Sequence, residues 1–286
     1  MITLSHSGFE LKLAPEQGGC VVSFKSHDTH LLRPADLRQS QSWDARDFAA
    51  FPMLPFVGRI DHGQFAFAGR SVALPANMPP EPHAIHGLGW QSSWEVESVT
   101  QTEVLLTHTH DGSVWPWTYQ ARQRFELTET GLSLSLSLTN TSQQRMPAGF
   151  GWHPYFPKAE AHLKAPAIRT WTGQHTAPET ASIIPETDLR QTRLVDELAL
   201  DTAFDVAPQP IEISWPGRRL IMTSEPIFSK LTIFTPQDAR SFCVEPITHA
   251  PNALNMNLDR RETGLRILEP SQTFTGTIRL DVEILS

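Results

Sequence analysis

The sequence predicts an all-β protein made of antiparallel strands, a sandwich or a barrel, and three observations carry that expectation. In LSLSLSLTN, residues 132–140, Leu132, Leu134, Leu136 and Leu138 share one face, which is the period of a half-buried strand. Short apolar runs with turn residues between them recur along the chain, as in sandwiches and barrels rather than in parallel sheets wrapped by helices. The 23 prolines argue against long helices, because an interior proline costs about 3 kcal/mol.

Taken in order, the expected strands are FELKL, CVVSFKS, QFAFAG, SWEVESV, EVLLTHT, YQARQRFELTE, LSLSLSLTN, IEISW, RLIMTS, KLTIFT, SFCVEP and TGTIRLDVEIL. Thr130 and Gly131 supply a hairpin turn between YQARQRFELTE and LSLSLSLTN. WDARDFAAF and VDELAL have room for a helical turn or two each. Residues 173–198 are polar, carry Pro178 and Pro185 and lack periodicity, so they read as a long surface excursion. The strands on either side look alike, and residues 1–286 are therefore expected to form a single domain.

Charge and cysteine content narrow the function classes. The 31 acidic against 23 basic residues give a net charge of -8, which opposes non-specific binding to nucleic acid or to anionic membranes. No apolar run approaches the roughly 20 residues needed to cross a bilayer, and MITLSHSGFELKL lacks the plan of a signal peptide. Cys20 and Cys243 are expected to be buried, reduced and inert, with no CxxC spacing to suggest zinc. The expected compartment is the cytoplasm, and either a monomer or a homodimer is compatible with the sequence.

Four separated islands hold the candidate chemistry: FPMLPFVGRI with Arg59, HAIHGLGW with His86 and Trp90, GFGWHPYF with His153 and Tyr155, and CVEPITHAPNALN with Glu245. Each sets an ionisable side chain beside Gly or Pro, which suggests strand ends and turns that display side chains from a rigid scaffold. A histidine and a carboxylate brought together are the minimum for moving protons on and off a neutral substrate. The plainer reading of His153 is a hydrogen-bonded histidine in an aromatic corner, and of Glu245 a solvated strand exit. Arg59 offers a fork of donors or a salt bridge to Asp61, and Asp201 and Asp205 in LDTAFDV are acceptors or turn caps. His83-x-x-His86 and the pair His108 and His110 are weak metal signals, so no metal and no cofactor is expected. A nucleophile elbow, a phosphate loop and a dinucleotide fingerprint are all missing from the sequence.

Together the islands resemble the aldose 1-epimerase (galactose mutarotase) family. The resemblance lies in the order Arg, His-Gly, His-Pro-Tyr-Phe and Glu-Pro with a downstream Pro-x-Ala-x-Asn, across residues 10–280. It implies a large antiparallel β-sandwich of the galactose mutarotase type and cofactor-free interconversion of the α and β anomers of a hexose or related aldose. It further implies Glu245 as base, His153 as acid, His86 near the ring oxygen, Arg59 and Asp201 on hydroxyls, and Trp90 or Tyr155 against the sugar face. Many members carry Asn before the arginine, where this chain has Gly58. A hexose 6-phosphate substrate would require a cationic grip, for which Arg38, Arg218, Arg219 and Arg261 are the candidates. A non-catalytic sugar-binding protein would have no need of both His153 and Glu245.

Overall fold

Why the chain needs two sheets follows from its alternation: each strand has one apolar face, and that face must be covered. A computed structural model of the chain describes residues 1–36 and 43–285. Arg38 lies outside the described residues. Among them the chain forms an 11-stranded sheet, a nine-stranded sheet and three two-stranded ribbons.

The larger sheet runs Ile2–His6, Phe9–Ala14, Cys20–Ser26, Ala50–Met53, Gly151–Pro157, Ser241–Ile247, Lys230–Phe234, Asp201–Val206, Ala167–Gln174, Ala177–Ser182, with Thr29–His30 paired to Cys20–Ser26. The smaller one runs Glu95–Val99, Glu103–His110, Tyr119–Leu127, Gly131–Asn140, Thr273–Ile284, Arg218–Ser224, Ile211–Trp215, His162–Lys164, Arg193–Leu194. Neighbouring strands in both are antiparallel. Leu132, Leu134, Leu136 and Leu138 lie opposite Leu280, Ile278, Gly276 and Phe274, and all four leucines are buried in the core that both sheets share. The fold is thus the expected all-β sandwich.

Helix is scarce. The described residues contain one four-residue α-helix, Arg260–Thr263, capped by the Asp259 carboxylate, which accepts from the Arg261 amide at 2.8 Å. WDARDFAAF and VDELAL yield single 3-10 turns at Ala45–Asp47 and Val195–Glu197. None of these helices is long and apolar enough to cross a membrane.

Two local expectations change. Residues 173–198 are not all irregular: Ala167–Gln174 turns back through His175 and Thr176 to pair with Ala177–Ser182 and forms the sheet edge. One face of that hairpin is solvated, so no apolar alternation marks it. GWHPYFP, expected at a strand end, is instead the interior strand Gly151–Pro157, between Ala50–Met53 and Ser241–Ile247.

Parity decides what this central region offers to each side. Trp152, Phe156, Phe242, Val244, Leu231 and Ile233 point into the inter-sheet core. Their alternates, including His153, Tyr155, Glu245, Thr232 and Phe234, line a cavity on the opposite face of the sheet.

The leucine stripe makes a direct test of the architecture. Leu136→Ala is expected to cost about 2–5 kcal/mol in urea unfolding, while Ser133→Ala on the outer face should stay within about 0.5 kcal/mol. Equal effects at the two positions would contradict the packing.

Candidate active site

The sheet ladder opens where the candidate acid and base sit. Gly151 pairs with Ile247 and Tyr155 with Cys243, so the register sets His153 across from Glu245. Each is followed by a proline, Pro154 or Pro246, that has no N–H to give to a ladder. His153 Nε2 lies 3.3 Å from Glu245 Oε1. Both groups are buried, with 8% and 3% of their surface exposed. Burial pushes His153 down to about 3. It pushes Glu245 well above the usual carboxylate range, assisted by the charge of Asp201 and opposed by Arg59. Neither group is favoured in its charged form by its surroundings.

Phe51, across from His153 on the neighbouring strand, stacks on the imidazole at 4.4 Å, and Tyr155 lies 4.8 Å from it. The Tyr155 ring is covered by Arg33 at 3.9 Å. These rings hold His153 in one orientation.

The walls come from loops whose geometry the glycines permit. His86 and Gly87 both have left-handed backbones, φ 58° and 72°. A Cβ on Gly87 would lie 1.9 Å from the Leu54 carbonyl oxygen, so only glycine fits there. Trp90 Nε1 donates to the carbonyls of Ile85 (3.2 Å) and Gly87 (3.1 Å), pinning the same loop, and its ring stacks on Phe51 at 5.4 Å. Trp90 therefore braces His86 as well as lining the cavity. Burial holds His86 well below its ordinary value, with His153 and Arg59 adding to the effect.

Arg59 is carried by the ribbon Arg59–Ile60 with Ala84–Ile85, and its guanidinium lies 3.4 Å from Glu81. Arg59 thus pairs with Glu81, while Asp61 contacts His62 and His83. The segment after Glu245 holds this loop in position. His249 Nε2 accepts from the Val57 amide at 3.1 Å, and Nδ1 carries the proton, donated to the Ala250 carbonyl at 2.8 Å. Thr248 Oγ1 accepts from the Phe150 amide at 3.0 Å, and the Asn252 amide donates to the Arg59 carbonyl at 3.0 Å. These residues act as braces.

The two aspartates of LDTAFDV separate cleanly. Asp201 lines the cavity and contacts His175 Nε2 at 3.1 Å. Burial raises its carboxyl, but the hydrogen bond and charge of His175 outweigh that, so it lies below the usual range. Asp205 is buried elsewhere, bonded by Trp171 Nε1 at 2.8 Å, Lys230 Nζ at 2.7 Å and the Arg169 guanidinium.

All seven residues expected from sequence, Arg59, His86, Trp90, His153, Tyr155, Asp201 and Glu245, line one cavity of about 280 Å³. Arg218 lies over the Trp215 ring, Arg219 pairs with Glu283 and Arg261 with Asp259; none of the three lines this cavity. Sequence reasoning missed Phe51, His175, Thr232 and Phe234. Phe51 stood in an island that was read only for its arginine, and His175 carried no signal, because the excursion hid the hairpin that presents it.

The chain is thus an antiparallel β-sandwich that holds a buried histidine–carboxylate pair beneath a cavity. The chain belongs to the aldose 1-epimerase family, whose model matches residues 1–281. It is 32% identical over 297 residues to the uncharacterized protein YphB of Escherichia coli (strain K12), covering 99% of both chains. It also resembles the crystal structure of an Escherichia coli K12 protein provisionally named an aldose 1-epimerase, with TM-score 0.88, 31% identity and coverage of 99% and 98%. A galactose mutarotase-like protein from Clostridium acetobutylicum shares the fold at TM-score 0.88 and 21% identity, with coverage of 99% and 95%.

The buried brace predicts a pH effect on stability. Burial lowers His249 from 6.5 to about 4. As pH falls the unfolded chain binds this proton first, so the stabilisation is whole above about 6.5 and is lost toward 4. The loss amounts to roughly 3 kcal/mol. Urea unfolding from pH 8 to pH 4 should show a shallower acid decline in His249→Asn than in the wild type; parallel curves would contradict it.

Proposed function

We propose that the protein is a mutarotase that interconverts the α and β anomers of a neutral hexose or related aldose. The observation that carries this reading is the 3.3 Å contact between His153 and Glu245 on the floor of a cavity. A neutral sugar needs one proton removed from the anomeric hydroxyl and one delivered to the ring oxygen. Two groups that share one exchangeable proton are suited to this.

Burial disfavours both charges, so the resting pair keeps its proton on the carboxyl with the imidazole neutral. Moving that proton across the contact gives carboxylate and imidazolium, the form in which Glu245 accepts the anomeric proton and His153 protonates the ring oxygen. The C1–O5 bond breaks, the aldehyde turns about its bond to C2, and closure returns each proton along the reverse path. Net protonation of the pair and of the sugar is unchanged over the cycle. Arg59 and neutral His86 donate hydrogen bonds to sugar oxygens, Asp201 accepts from hydroxyls, and Tyr155 and Trp90 offer apolar surface. The pair also argues against a purely sugar-binding role, which would not require burying an acid and a base in contact.

Polarimetry of freshly dissolved α-glucose and α-galactose tests the proposal. Glu245→Gln and His153→Asn are each expected to lower kcat by about 10²- to 10⁴-fold, with sugar binding by calorimetry largely retained in Glu245→Gln. Wild-type rates in either variant would remove that residue from the chemistry. Asp201→Ala is expected to raise KM about tenfold, the size of a hydrogen bond to a charged group, whereas an unchanged KM would remove Asp201 from substrate binding.

A further inference from the structure

The ribbon that presents Arg59 carries a second cluster at its outer end. Arg59–Ile60 runs into Asp61 and His62, and its partner strand Ala84–Ile85 is entered from His83. His62 Nδ1 lies 2.9 Å and His83 Nδ1 3.5 Å from the same Asp61 oxygen. The three donor atoms lie within 4.8 Å of one another. The two imidazole rings stand at 82° with centroids 5.2 Å apart.

Two further features make this more than a chance grouping. His62 has φ 46°, a left-handed conformation uncommon for a residue other than glycine and worth explaining. Its backbone N–H donates to His83 Nδ1 at 3.1 Å. An amide can only donate, so that nitrogen bears a lone pair and the neutral ring keeps its proton on Nε2. This is the tautomer a metal ion requires at Nδ1. Tetrahedral zinc with bonds of about 2.0–2.1 Å places its donors roughly 3.3–3.5 Å apart; the His83–Asp61 separation of 3.5 Å matches this and the His62–Asp61 separation of 2.9 Å is shorter.

We propose that Asp61, His62 and His83 form a binding site for a divalent transition ion of the zinc class, with water completing the coordination. Two imidazoles and one carboxylate select zinc, nickel or copper over magnesium and calcium, which prefer all-oxygen sites. On binding, the ion replaces the hydrogen bond at His83 Nδ1 and ties the two strands of the ribbon together. That ribbon joins Arg59 to the segment leading into His86, so the ion acts as a staple on one wall of the cavity. The site takes no part in the proton chemistry, and either proposal can fail without the other.

Along the chain His83 and His86 form only a weak His-x-x-His signal, and the fold turns them to different neighbours. A second donor group, His153, Cys243 and Glu245, also lies within 4.8 Å, and the experiment must tell the two apart. Tag-free, EDTA-treated protein is titrated with zinc chloride by calorimetry. Saturable binding of one ion per chain is expected, weakened at least about tenfold in His83→Ala and in Asp61→Asn and unchanged in Cys243→Ala. Zinc should raise the Tm of the wild type and not that of His83→Ala. Circular dichroism establishes that the variants are folded, and His62→Ala serves in place of one that is not. Absence of saturable binding, equal affinity in the histidine variants, or loss of binding in Cys243→Ala would each overturn the assignment.

Discussion

Everything around the cavity answers to one constraint: an imidazole and a carboxyl are held in contact, away from water, in the middle of a sheet. Stripping charges of their hydration costs several kcal/mol per ion in real proteins. The pair avoids much of that cost because burial leaves each group favouring its neutral form, with His153 lowered and Glu245 raised. The same opposed shifts keep one proton available between them. A stabilising arginine beside Glu245 would relieve the burial and would also weaken the base.

Such a pair also needs a fixed geometry, which the fold supplies from two directions. The floor is rigid because five adjacent strands, from Ala50–Met53 to Asp201–Val206, form it, and their alternate residues are locked into the inter-sheet core. The walls are loops, which are ordinarily mobile. Here they are tied by side chains and backbone of the segment that follows Glu245. His249 holds the backbone at Val57, Thr248 that at Phe150, and Asn252 that at Arg59. The Glu-Pro island therefore contributes the base and also the braces for two of the other islands. A Cβ on Gly149 would lie 2.0 Å from His249 Cδ2, so the glycine of one island is required by the brace of another.

That interdependence explains what the sequence disclosed. The sandwich was legible because alternation such as Leu132 to Leu138 reports a buried face directly. The site residues were legible because Gly87, Pro154 and Pro246 mark backbone that departs from an ordinary ladder. Less visible was the central strand through His153, since glycine and proline resemble punctuation when seen without neighbours. His175 was hidden because its hairpin is solvated and lacks a period. His83 was noted only for its weak spacing to His86, because spacing along a chain does not say which way a ribbon turns its side chains.

The arrangement also bears on why a sheet, rather than a loop, holds the reactive groups. The proposed ring opening needs an acid and a base whose separation stays constant while the aldehyde above them rotates. Residues opposite one another on paired strands keep their spacing as well as any two positions in a protein, since the ladder on both sides fixes it. Pro154 and Pro246 remove ladder donors next to the pair, and Gly151–Ile247 and Tyr155–Cys243 resume the pairing on either side. The strands are open where the pair sits and closed two residues away in each direction. In the proposed reaction the loops have only to recognise hydroxyls, a task that tolerates divergence, as the glycine at position 58 illustrates.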